Sequence, residues 1–187
     1  MFHMEQKDYK TEIIIALLKG ESHVREIAKN LSINHMMISR KIKELSDENI
    51  ADYKEKGKNK VYFLKNTIEA KTHIFKAEQY KLIRILGKYP NLREIFEKIQ
   101  KDKRIKMSLL FGSYAKGIAK PNSDIDVYIE TSNKEIKKDT ENINSSLSIK
   151  IGKYNKSNLL AKEIEKNHII IKGVEEYYEK HRFFEQT

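Results

Sequence analysis

The sequence predicts an α+β protein in two parts, and three observations carry that expectation. Residues 8 to 65 repeat a helical apolar spacing three times and then turn to short extended runs around a tip rich in Lys and Gly. A long helical stretch follows and stops at Pro90. From residue 91 onward helical and extended patterns alternate to the C-terminus, the signature of a small mixed sheet carrying helices.

Within the first part, residues 8–19 place Ile13, Ile14, Ala16, Leu17 and Leu18 on the broad stripe of a buried helix, closed by Gly20. A cap at Glu21-Ser22 opens a second helix with Val24, Ile27, Ala28 and Leu31 inward. Ser32-Ile33-Asn34 breaks that pattern, and a third helix starts at Asn34 or His35 with Ile38, Ile42 and Leu45 inward. Two short helices joined by a tight turn are a helix-turn-helix. Ile50 to Tyr53, the tip KEKGKNK, and Val61 to Leu64 then read as a hairpin.

This order resembles the winged-helix domains of MarR- or ArsR-like transcription factors, over residues 8–65 and on pattern rather than on a fixed motif. The likeness implies that the third helix enters the major groove while the hairpin tip meets the flanking backbone. Lys54, Lys56, Lys58 and Lys60 at the tip would contact phosphate. His35, Met36, Ser39, Arg40 and Lys43 on the third helix would face the groove, with His35, Met36, Ser39 and Arg40 reading bases. A protein-interaction role is the competing reading, because lysines on a turn are often only a solvated edge.

Asn66 to Lys88 reads as one long helix with Ile68, Phe75, Leu82, Ile83, Leu86 and Tyr89 as its apolar positions. It serves either as the seam of a homodimer, as two-fold DNA sites require, or as a linker packed on its own domains. Asn91 caps a further helix with Leu92, Ile95, Phe96 and Ile99 on one face. The expected domains are therefore 1–65, a linker helix over 66–90, and 91–187.

The chemistry concentrates between Leu109 and Glu130, LLFGSYAKGIAKPNSDIDVYIE. An apolar strand runs into Gly112-Ser113, and a second strand opens with Asp124 and Asp126. Residues two apart in a strand share a face, so these carboxylates project together, with Tyr128 beyond them. Paired carboxylates repel unless a cation lies between them, and a hard divalent ion such as Mg2+ meets that need. A glycine turn at a helix start allows phosphate to approach backbone amides.

Gly112-Ser113, ten residues, then Asp124-Ile125-Asp126 is similar to the GS-x10-D-x-D signature of the DNA polymerase beta nucleotidyltransferase superfamily, nearest its minimal nucleotidyltransferase branch. The resemblance implies that Gly112 and Ser113, with Lys116 and Ser123 nearby, hold the triphosphate of ATP or another NTP, and that Asp124 and Asp126 bind the metal and serve catalysis. It implies transfer of a nucleoside monophosphate to an acceptor hydroxyl. For antitoxin members of the family, the acceptor is a tyrosine on a HEPN toxin.

Farther along, residues 134–146 read as a polar helix and Leu147 to Ile151 as an alternating strand. Ser157 is the expected cap of a helix over 158–167, followed by a strand at 168–171 and a helix from Gly173 toward Phe184. The family's third carboxylate is expected on the strand at Leu147, yet that strand offers Ser148 and Lys150. Glu130 lies on the Asp126 face, but four residues at ~3.3 Å each carry it about 13 Å away. Three readings follow: a nucleotidyltransferase, a DNA-binding regulator whose degenerate transferase domain senses nucleotide, and an antitoxin that modifies a HEPN toxin and represses its own operon.

Composition bounds these readings. The chain has 187 residues, no cysteine and a formal charge of +10. Disulfide frameworks and cysteine-ligated zinc are thereby excluded. No apolar run approaches the ~18 residues of a membrane span, and MFHMEQKDYK lacks an apolar signal core, so a cytoplasmic location is expected. The charge is +3 over residues 1–65, +5 over 66–104 and +2 over 105–187, so its excess does not sit on the expected DNA-binding part. Only six of the 37 basic residues are Arg, a bias seen in hyperthermophile proteins and also produced by a low-GC genome.

Overall fold

A computed structural model of the chain describes residues 8–155, 157–181 and 183–185. The N-terminal stretch expected to lack an export signal lies almost wholly outside them. The chain divides into two compact units between Ala77 and Glu78.

The first unit opens with α1 (Tyr9–Leu18), whose first turn is closed by Asp8 accepting from the Thr11 amide at 3.2 Å. Helices α2 (Val24–Leu31) and α3 (His35–Asp47) follow. Ser32 turns between them in the left-handed region (φ 55), and the Ile33 amide bonds back to the Ala28 carbonyl at 2.9 Å. Asn34 caps α3 by accepting from the Met36 amide at 2.8 Å. Strands β1 (Ala51–Lys56) and β2 (Asn59–Leu64) pair antiparallel from Ala51↔Leu64 to Lys56↔Asn59. Ser22 adds a bridge to Tyr62. Ile13, Ile14, Ile27, Ile38, Ile42 and Leu45 are all but inaccessible. They are among the positions that the helical spacing points inward, while Ala16, Leu18, Val24 and Leu31 of the same stripes are only half-buried. Helix–helix–helix–hairpin around one apolar core is a winged-helix-like fold.

Helix α4 (Ile68–Lys88) begins in the first unit and ends in the second. The second unit continues with α5 (Leu92–Lys101), β3 (Ser108–Leu110), α6 (Gly112–Ala115), β4 (Ile125–Glu130), α7 (Lys134–Glu141), β5 (Leu147–Gly152), α8 (Leu159–Lys166), β6 (Ile169–Lys172) and α9 (Val174–Lys180). The sheet has the order β5-β4-β3-β6. Only β4 and β5 run parallel, with α7 as their crossover, while β3 is antiparallel to both of its neighbours. Leu92, Ile95, Phe96 and Ile99 of α5 pack in one apolar cluster with Leu110, Val127, Ile129 and Ile149 of the sheet. The fold is α+β in two domains.

Several element details differ from expectation. Helix α2 is capped at His23 with no side-chain bond, because the Ser22 hydroxyl is committed to Glu26 at 2.8 Å. The hairpin ladder extends through the lysine tip and leaves only Gly57-Lys58 as the turn. On α4 the buried positions are Ala70, Ile74, Ala77, Leu82 and Ile85, while Ile68 is 73% and Ile83 57% exposed. Two small alanines share that face with Ile74, Leu82 and Ile85. The α8 cap is Asn158, which accepts from the Leu160 amide at 3.1 Å, and Ser157 instead bonds Asn155. The long polar helix expected over 134–146 ends at Glu141, and α9 ends at Lys180 before a 3-10 turn at Phe183–Glu185.

Candidate functional site

Strand β3 delivers the chain to Gly112 deep against β4, the Phe111 amide donating to the Asp126 carbonyl at 3.0 Å. Gly112 has φ 69, and a Cβ there would overlap the Asp126 carboxylate. Both conditions require glycine. The glycine turn and the second Asp of the pair are thus one packed unit, which brings the start of α6 against a carboxylate from the following strand. Amides in the first turn of a helix lack intrahelical acceptors and favour anions.

Asp124 precedes β4 and is exposed, whereas Asp126 lies within the strand and is half-buried. Burial pushes the Asp126 carboxyl above the usual carboxylate range; hydrogen bonding from Ser148 and the Lys150 charge oppose that, while Asp124 and Glu163 add to it. A carboxylate in that setting gains from a cation beside it. Ser113 is half-exposed on α6, and its carbonyl accepts from the Ile118 amide at 3.0 Å. Lys116 follows α6 and approaches Glu163 of α8 at 3.8 Å. Ser123 is occupied with the loop itself, its hydroxyl accepting from the Lys120 amide at 2.9 Å.

Strand β5 places Ser148 opposite Asp126 and Lys150 opposite Tyr128. No group of three or more His, Cys, Asp or Glu able to hold a metal ion occurs among the described residues. Two carboxylates suit one magnesium ion that completes its shell with water and nucleotide phosphates. They do not suit a second ion held by protein ligands. The sequence gives no sign of Glu163 near Lys116, since nothing in the α8 spacing aims it toward a turn so much earlier in the chain.

His35, Ser39, Arg40 and Lys43 are exposed along α3, and Met36 is 66% exposed. Glu21 forms ion pairs with both Lys54 and Lys56. Lys60 sits 3.9 Å over the Tyr53 ring. Lys58 is exposed in the turn. The four lysines are therefore an organised edge with three of its charges already engaged.

Residues 93–177 match the profile of the family described as "Polymerase beta, Nucleotidyltransferase". The C-terminal unit is nucleotidyltransferase-like, and it follows a winged-helix-like unit in the same chain. Among curated proteins, none matches the sequence significantly. Similar solved structures include the transcriptional repressor BigR from Xylella fastidiosa, at 19% identity and TM-score 0.34, covering 36% of this chain and 67% of that one. Adhesin competence repressor AdcR from Streptococcus pyogenes gives 18% and 0.37, covering 51% and 78%. A ZitR mutant from Lactococcus lactis gives 15% and 0.39, covering 55% and 68%. At such scores the winged-helix assignment rests on the element order and burial given above.

Proposed function

We propose that this protein is a DNA-binding regulator whose nucleotidyltransferase-like unit binds a nucleoside triphosphate, ATP foremost, together with one Mg2+, and acts as a sensor rather than a transferase. The observation that carries this reading is Ser148 opposite Asp126. A hydroxyl stands beside the second Asp on the strand where the family's third carboxylate is expected. In a two-metal transfer one ion prepares the attacking hydroxyl and the other neutralises the triphosphate. Asp124 and Asp126 serve the second role with the nucleotide's phosphates. Gly112 and Ser113 receive the phosphates at the start of α6, Lys116 adds a positive charge, and Ser123 braces the loop between them. When bound, the ion offsets phosphate charge and the repulsion between the two carboxylates.

The DNA contacts in this reading are base edges from His35, Met36, Ser39 and Arg40, and phosphates from Lys43, Lys54, Lys56, Lys58 and Lys60. Pairing of two copies belongs to the same reading, and the exposed Ile68 and Ile83 of α4 are available for it.

The test uses the full chain. A duplex is first selected from a random library, and its affinity is then measured with and without Mg-ATP at fixed salt. We expect saturable ATP binding that Asp126→Ala abolishes, an operator affinity that changes with ATP, and no covalent labelling from labelled ATP. Operator affinity indifferent to saturating ATP would end the sensor reading.

Transfer is the second reading, and the intact packing of Gly112 on Asp126 favours it. It predicts ATP-dependent labelling of a hydroxyl acceptor that Asp126→Ala removes. The acceptor on a HEPN-type partner, with repression of a shared operon, is its narrowest form.

A further inference from the structure

The helix α6 that presents the phosphate turn has only four residues. One turn of helix is too short to hold its own geometry in water. Its first turn is fixed by Gly112 on Asp126, so the question is what fixes its far side. Within the segment, Gly117 donates to the Tyr114 carbonyl at 2.9 Å and Ile118 to the Ser113 carbonyl at 3.0 Å. These local bonds close the segment on itself but tie it to nothing else.

The external ties come from the end of α4 and the residue after it. Lys88 Nζ donates to the Gly117 carbonyl at 2.6 Å. The Ala119 amide donates to the Tyr89 hydroxyl oxygen at 3.1 Å. The Tyr89 ring packs edge-on against Tyr114 of α6, with centroids 4.9 Å apart. Three interactions of different chemistry thus grip residues 114, 117 and 119 from outside. Gly117 itself has φ 72, a backbone state other residues avoid, and the Lys88 bond is made to its carbonyl.

We infer that Lys88 and Tyr89 are positioning residues that hold the Gly112–Ala119 segment in its phosphate-receiving form. Neither lies in the nucleotidyltransferase signature. Their effect reaches the nucleotide through the orientation of the α6 amides, so it concerns the triphosphate and not the nucleoside. The inference rests on the assignment of that segment to triphosphate binding.

Four full-length variants test it. Tyr89→Phe retains the ring against Tyr114 and removes only the hydroxyl acceptor. Lys88→Met removes the donor, Lys88→Arg retains one, and the fourth combines Lys88→Met with Tyr89→Phe. Affinities for Mg-ATP, inorganic tripolyphosphate and adenosine are measured for each, together with amide exchange of Ile118 and Ala119. We expect Tyr89→Phe and Lys88→Met each to weaken ATP and tripolyphosphate about fivefold, the scale of one hydrogen bond, and the double variant to weaken them further. Adenosine binding stays unchanged, Lys88→Arg restores most of the loss, and Ala119 exchange accelerates in Tyr89→Phe. Triphosphate affinities within twofold of wild type in the double variant, where wild type binds ATP, overturn the inference. If wild type binds neither ATP nor tripolyphosphate, the nucleotide reading itself has failed, and the exchange data decide the rest: an Ala119 amide as protected in Tyr89→Phe as in wild type shows that Tyr89 does not hold the loop.

Discussion

At the scale of single residues, Gly112 is the most constrained position in the candidate site. Its φ of 69 is unfavourable for a side chain, and the space where a Cβ would go belongs to Asp126. Gly112→Ala should therefore lower stability by more than about 1 kcal/mol, the most that the same change adds to stability at a compatible backbone. Shortening the obstacle should restore part of it. In a cycle with Asp126→Ala, the double variant is expected to cost less than the two singles together by at least about 0.5 kcal/mol, measured by urea unfolding. Additive costs would mean that the two residues do not press on each other. Ser148 raises the opposite point, since its identity was legible in the sequence while its position beside Asp126 depends on the β4–β5 register.

Among the elements, the hairpin shows what a charge pattern leaves out. Four lysines on a tip read as four phosphate ligands, yet Glu21 holds two of them and the Tyr53 ring a third. Exposed ion pairs of this kind add little to stability, and they compete directly with phosphate. Glu21→Gln should free Lys54 and Lys56, raise affinity for non-specific duplex DNA, and steepen the log–log salt dependence by ~0.9 for each further phosphate that a lysine neutralises. A salt slope equal to that of wild type would show that these lysines do not meet DNA. The long helix α4 carries a similar lesson. Its buried stripe sets Ala70 and Ala77 beside Ile74 and Ile85, and Ile68 and Ile83 lie on the exposed side. The short elements around the glycine turn were legible because Gly112, Gly117 and Pro121 punctuate them.

For the whole molecule, the division between Ala77 and Glu78 gives each unit its own apolar core. Two cores predict two cooperative transitions in calorimetry rather than one. A ligand that binds only the native state stabilises the unit that binds it, by about 2.7 kcal/mol at a concentration of 100 Kd. Mg-ATP is therefore expected to raise the transition of the nucleotidyltransferase-like unit and leave the winged-helix-like transition in place. A single transition that ATP does not move would contradict both the division and the nucleotide site.

The sequence by itself determined the order of the elements and, α4 apart, most of the residues that face inward, because apolar spacing and turn residues act over a few positions. It also determined the Gly112-Ser113 and Asp124-x-Asp126 pairing, whose spacing is a local property of one strand–turn–strand unit. Tertiary structure alone decided what meets that unit from elsewhere: Glu163 beside Lys116, and Lys88 and Tyr89 on a loop well beyond them in the chain. The same holds for Glu21, which reaches Lys56 across 35 residues. The physical reason is common to all of them. Long polar side chains on exposed faces obey no periodicity, so their partners are fixed only when the packing of distant elements brings the backbones together.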